Sequence, residues 1–161
     1  MAVIVVEDGT GLIISNSYVS AADLATYAAD RGVTLSGTPA VLLIQAMDYI
    51  ESLLFIGYKL TQTQALQWPR GDVYIDGYYE SSDEIPQLLI DALCEFVIGI
   101  DGGVNPLANQ GRETIREKIG EIEIEYSSGS RSETYLTAAH TKINKLVKSF
   151  GGGLFARVTR G

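Results

Sequence analysis

The chain has 161 residues, 46% of them apolar, and a formal net charge of −8, which fits one domain able to bury a core and does not fit a disordered chain. Its apolar runs fall short of the roughly 20 residues of a membrane span, and its N-terminus lacks the basic flank and cleavage pattern of a signal peptide, so a soluble, unexported protein with no membrane partner is expected. One cysteine, Cys94, and one histidine, His140, exclude an internal disulfide and leave no cluster of zinc-ligand spacing, so neither metal nor cofactor is expected.

The charge is unevenly spread. Up to Glu133 there are seven basic residues against all twenty acids; from Thr134 onward there are five basic residues and no acid. The basic end seeks a negative partner, either nucleic acid or the acidic face of another subunit. An acidic body argues against DNA in that role, because neutralising phosphates needs a basic surface.

In chain order, Ala2 to Val6 and Leu12 to Ser15 are β-branched and apolar around Glu7-Asp8-Gly9-Thr10-Gly11, which reads as a hairpin or two short strands. Ser20 before Ala21-Ala22-Asp23 starts a helix that Gly32 stops. Thr38-Pro39 opens a second helix, in which Val41, Leu42, Ile44, Gln45, Tyr49, Ile50, Leu53 and Leu54 recur at helical spacing. Asp48 and Glu51 are expected on its solvated face or in contacts between subunits.

Thr61 to Leu66 reads as a short helical turn before the corner Gln64-Ala65-Leu66-Gln67-Trp68-Pro69-Arg70. Pro69 turns Trp68 away from helical dihedrals and donates no backbone hydrogen bond. Trp68, the only tryptophan, is expected to fold back on the core, while Arg70 is a candidate contact to a neighbouring subunit's carboxylate. Gly71 to Asp83 reads as a polar loop whose Tyr74, Tyr78 and Tyr79 either pack down or face a partner. These three tyrosines and Arg70 are the subunit-interface candidates.

Pro86 starts a third helix, apolar nearly all round, that ends at Asp101-Gly102-Gly103; Cys94 within it reads as a core residue. Val104 to Thr114 is a connection. Glu121 to Tyr126 alternates strictly and reads as a strand with Ile122, Ile124 and Tyr126 inward. The last helix begins near Glu133 or Thr134, with Leu136, Ile143, Leu146 and Val147 as its stripe and Lys142, Lys145 and Lys148 along its last turns. His140 lies in it with no nucleophile nearby in sequence. With no phosphate-cradling, nucleophile-elbow or zinc-helix motif, no catalytic residue is assigned and an enzyme is not expected.

Gly151-Gly152-Gly153 divides the chain into a helical domain, 1–150, and an arm, 151–161. Apolar and basic residues follow the hinge: Leu154, Phe155, Arg157, Val158 and Arg160. That pattern suits an arm laid onto another chain, with ordinary terminal looseness as the competing reading. The expected fold class is mainly α: a small helical bundle with a short β-hairpin or strand element and an extended C-terminal arm.

The early Ser-Tyr-Val-Ser-Ala-Ala-Asp helix start, the Gln-Ala-Leu-Gln-Trp-Pro-Arg corner, Glu-Ile-Pro-Gln and Glu-Lys-Ile-Gly-Glu-Ile-Glu-Ile-Glu-Tyr together resemble small head-tail adaptor proteins of tailed bacteriophages, from about Ser17 to Tyr126. Some members of that group carry a DnaT-like single-stranded-DNA-binding label. The resemblance implies a structural virion protein, made in the host cytoplasm and placed at the head-tail interface. It implies a ring of copies, usually twelve, under the portal protein, with the C-terminal arm as the portal-binding element and a tail or tail-completion protein below. Packaged double-stranded DNA would pass the acidic channel without sequence-specific binding. The alternatives are a single-stranded-DNA-binding replication protein and a tail-terminator or tail-completion protein.

Overall fold

A computed structural model describes residues 2–107, 116–119, 122–125 and 136–148, the two short segments 116–119 and 122–125 as backbone only. Four helices form its framework: α1 (Ala21–Asp30), α2 (Pro39–Glu51), α3 (Gln87–Asp101) and α4 (Thr137–Ile143). Ser20 caps α1 by accepting the Asp23 N–H at 3.1 Å, and Pro39 opens α2 where a missing N–H costs nothing. Pro86 and Gly102 bound α3. Helix α3 is central, packing on both α2 and α4. Its Leu89, Leu93, Phe96 and Val97 are fully buried against Leu43, Ile50 and Ile143. Cys94 belongs to this core, and burial pushes its thiol up to about 12, so it is an inert packing residue.

Three two-stranded antiparallel sheets accompany the helices among the described residues. Strand β1 (Tyr58–Lys59) pairs with β2 (Arg70–Gly71), β3 (Tyr74–Ile75) with β4 (Tyr78–Tyr79), and β5 (Arg116–Ile119) with β6 (Ile122–Glu125). The expected mainly α bundle is therefore corrected to a mixed α/β domain. The physical reason lies in the segment after the Trp-Pro-Arg corner, where Asp76 and Gly77 both take positive φ (53° and 89°). That conformation matches the twist of two antiparallel strands and turns the expected loop into a hairpin.

Other expectations change as well. The N-terminal hairpin is absent: residues 2–17 make one isolated parallel bridge, Val6 to Ser17, and the segment between them wraps a carboxylate. Glu7, 2% exposed, accepts the N–H groups of Gly9, Gly11 and Leu12 and the Ser15 hydroxyl at 2.8–3.1 Å. Local side-chain bonding has replaced a strand ladder. Thr61 to Leu66 is not helical; the Gln64 side chain holds it by accepting the Thr61 N–H and donating to the Leu66 and Pro69 carbonyls. Helix α4 stops at Ile143. The chain after it lies along residues 54–56, with Phe55 bridging Val147 and backbone bonds from Ile56 to Leu146 and from Lys148 to Leu54. Strand β6 falls within the expected Glu121 to Tyr126 segment. The arm, 151–161, with its portal-binding candidates Leu154, Phe155, Arg157, Val158 and Arg160, lies outside the described residues.

Candidate interaction surface

The corner closes inward. Trp68 is fully buried, edge-on to Phe55 with ring centroids 6.0 Å apart. Its backbone N–H donates to the Tyr18 hydroxyl, which donates to Glu51 at 2.5 Å; the second Glu51 oxygen accepts the Gln67 N–H at 2.7 Å. Glu51 thus faces this network, and not solvent or a neighbouring subunit as its helical position predicts.

Arg70 is corrected too. It is 7% exposed, and each of its five N–H donors has an acceptor in this chain: the carbonyls of Phe55, Ile56, Gly57 and Gln67 and the Gln67 side chain. A planar five-donor fork suits such a ring of carbonyls. The guanidinium therefore pins the strand pair β1–β2 and is not offered to a neighbouring subunit.

The tyrosines take the opposite course. In the β3–β4 hairpin Tyr74 opposes Tyr79, and Ile75 opposes Tyr78. Ile75 and Val73 point into the core, while Tyr74, Tyr78 and Tyr79 are 58%, 78% and 57% exposed. The Tyr74 and Tyr79 rings meet edge to face at 5.6 Å. Tyr58, also exposed, lies over Gly71 so closely that a Cβ there would come within 3.0 Å of its ring. The hairpin was legible in the sequence as Asp76-Gly77 between Tyr74-Ile75 and Tyr78-Tyr79, a signal the reading of the segment as a loop passed over.

Charge around this surface is acidic. The residues with described side chains carry fourteen carboxylates and six Lys or Arg cations. Asp72, Asp76 and Glu80 flank the tyrosines, and Lys145 is paired to Asp76 at 2.7 Å. Arg31 stacks over the Tyr27 ring at 3.3 Å and, with Lys142, faces Glu95. Burial would raise the Glu95 carboxyl, but hydrogen bonds from Lys142 and Tyr27 outweigh it and hold the group below its ordinary value. Arg70 is buried on carbonyls. Among the described residues, the cations Arg31, Arg70, Lys142 and Lys145 are thus engaged within the chain. Among the described residues no cluster of His, Cys, Asp and Glu is placed to hold a metal ion, and no helix is long and apolar enough to cross a membrane.

Fold and surface together define a small acidic α/β domain that presents exposed aromatics on a β-hairpin. A family model described as "Putative DnaT-like ssDNA binding protein" matches residues 1–161, and the chain belongs to that family. No curated protein and no solved structure matches it.

Proposed function

We propose that the chain is a non-catalytic structural protein of a tailed-phage virion: a head-to-tail adaptor that assembles as a ring, twelve-fold by the family resemblance, beneath the portal and connects the DNA-filled head to the tail. The observation that carries this reading is the charge of the folded body. Among the described residues the cations are largely paired or buried while exposed tyrosines stand among carboxylates, which favours protein contacts over phosphate binding. Tyr74, Tyr78 and Tyr79 serve as contacts to neighbouring copies, and Leu154, Phe155, Arg157, Val158 and Arg160 dock the arm into the portal. An acidic channel lets duplex DNA pass without sticking.

The family description favours a second reading, a single-stranded-DNA-binding protein. Exposed tyrosines are also the side chains on which bases stack. Affinity for a fluorescent oligonucleotide, measured across a salt series, separates the two. The adaptor reading expects no tight binding at physiological salt, whereas tight binding that weakens steeply with added salt would establish the DNA-binding reading.

A further inference from the structure

The tyrosine hairpin and the end of the chain carry opposite charge. From Gly71 to Glu84 there are five carboxylates and no Lys or Arg, whereas residues 149–161 hold Arg157 and Arg160 and no acid. Tyr74, Tyr78 and Tyr79 stand exposed among those carboxylates, and the basic segment brings apolar groups of its own, Phe150, Leu154, Phe155 and Val158. A guanidinium satisfies both parts of such a surface at once, stacking on a phenol ring while its N–H groups bond a carboxylate. The folded domain already uses that trio: Arg31 lies 3.3 Å over the Tyr27 ring and 3.7 Å from Glu95.

The described residues also end beside the hairpin. Lys145 pairs at 2.7 Å with Asp76 in the hairpin turn. Lys148, three residues on, is fixed to the body by its N–H to the Leu54 carbonyl. From there residues 149–161 reach at most roughly 40 Å, so Arg157 and Arg160 can meet Tyr74, Tyr78 and Tyr79 without leaving their own chain. A tether this short sets an effective concentration on the order of millimolar, far above that of any second copy in dilute solution.

We infer that Leu154, Phe155, Arg157, Val158 and Arg160 fold back on the Tyr74, Tyr78 and Tyr79 hairpin of their own chain, the arginines meeting its rings together with Asp72 and Glu80. One segment thereby covers, in the free subunit, both surfaces that the proposed function gives to partners. When the portal takes the arm, the tyrosines are uncovered for neighbouring copies, so self-assembly waits for the portal. That consequence rests on the proposed function; the contact itself does not.

A nitroxide spin label on Gly161→Cys of the full chain tests it, because Cys94 is buried and stays unlabelled. With label and isotope enrichment on the same chain, the amide signals of Tyr74, Tyr78 and Tyr79 are expected to be lost to broadening. The signal of Ser36, bonded to Asp101 at the C-terminal end of α3, is expected to remain. Arg157→Glu combined with Arg160→Glu, or added salt, is expected to bring the tyrosine signals back. Tyrosine signals that never broaden, or that broaden no more than Ser36, overturn the inference. So does broadening seen only when label and enrichment are on different copies, which places the arm on a neighbour. In sedimentation velocity a chain lacking residues 151–161 is expected to self-associate about tenfold more tightly than the full chain. Broadening with neither that gain nor portal capture sinks the adaptor reading and leaves the contact standing; portal capture without broadening does the reverse.

Discussion

Tyr18 and Glu51, thirty-three residues apart, share a 2.5 Å hydrogen bond beneath the Trp-Pro-Arg corner. Through it the segment before α1 and the last residue of α2 hold the backbone of Gln67 and Trp68. Burial pushes the Glu51 carboxyl above its ordinary value, although the bonds from Tyr18 and Gln67 pull the other way. Burial and the adjacent Glu51 likewise push the Tyr18 hydroxyl well up.

A pH dependence follows. Because the fold favours the protonated carboxyl, Glu51 brings no penalty below its unfolded value of about 4.5. As pH rises through that value toward the raised folded one, the unfolded chain ionises first and stability falls. The difference in melting temperature between wild type and Glu51→Gln, followed from about pH 4 to about pH 7, is expected to move against the wild type as pH rises. A difference independent of pH would contradict the burial of this charge.

Arg70→Lys keeps the charge but replaces a planar five-donor fork with a point cation of three donors, leaving some of the carbonyls of Phe55, Ile56, Gly57 and Gln67, just ahead of β1 and β2, without partners. A loss of about 2–3 kcal/mol is expected in urea denaturation monitored by Trp68 fluorescence. Folded Arg70→Lys should self-associate as the wild type does. Weakened assembly at unchanged stability would return Arg70 to the surface role assigned from sequence.

Two glycines at positive φ separate backbone strain from crowding. Gly32 and Gly57 both have φ of 69°. A Cβ at Gly32 meets nothing within 4 Å, whereas at Gly57 it would lie 2.3 Å from the Gly71 carbonyl oxygen and 2.7 Å from Val73. Gly32→Ala is expected to cost about 1–2 kcal/mol, the order of left-handed strain, and Gly57→Ala distinctly more. Thermal melts that rank the two equally would show that the approach of β1 to β2 is looser than described.

The helices were legible because their signals are local: Ser20 and Asp23 at one start, Thr38-Pro39 at another, and helical spacing through Leu42 and Ile50. The inward turn of Trp68 was legible too, since a lone tryptophan before proline has little reason to stay wet. Arg70 was not. Of its five acceptors, three are the carbonyls of Phe55, Ile56 and Gly57, which only the β1–β2 pairing brings to it, and sequence spacing carries no record of them. Glu7 was missed for a related reason: a carboxylate next to Asp-Gly-Thr-Gly looks like a solvated turn until four donors converge on it. The β3–β4 hairpin is the opposite case, since Asp76-Gly77 announced it locally.

Replacing Tyr74, Tyr78 and Tyr79 by serine should change stability little, because all three rings are largely exposed; about 1 kcal/mol covers the lost Tyr74–Tyr79 ring contact. Assembly should weaken at least tenfold in sedimentation velocity if the hairpin lies between copies. Unaltered assembly would remove these tyrosines from the interface.

The central claim, an adaptor and not a DNA binder, is tested most directly by capturing purified portal protein with the full chain and with a chain lacking Leu154 to Gly161, alongside a single-stranded oligonucleotide control. The account predicts portal capture by the full chain, its loss on truncation and no oligonucleotide retention at physiological salt. Salt-sensitive retention of the oligonucleotide with no portal capture would contradict it.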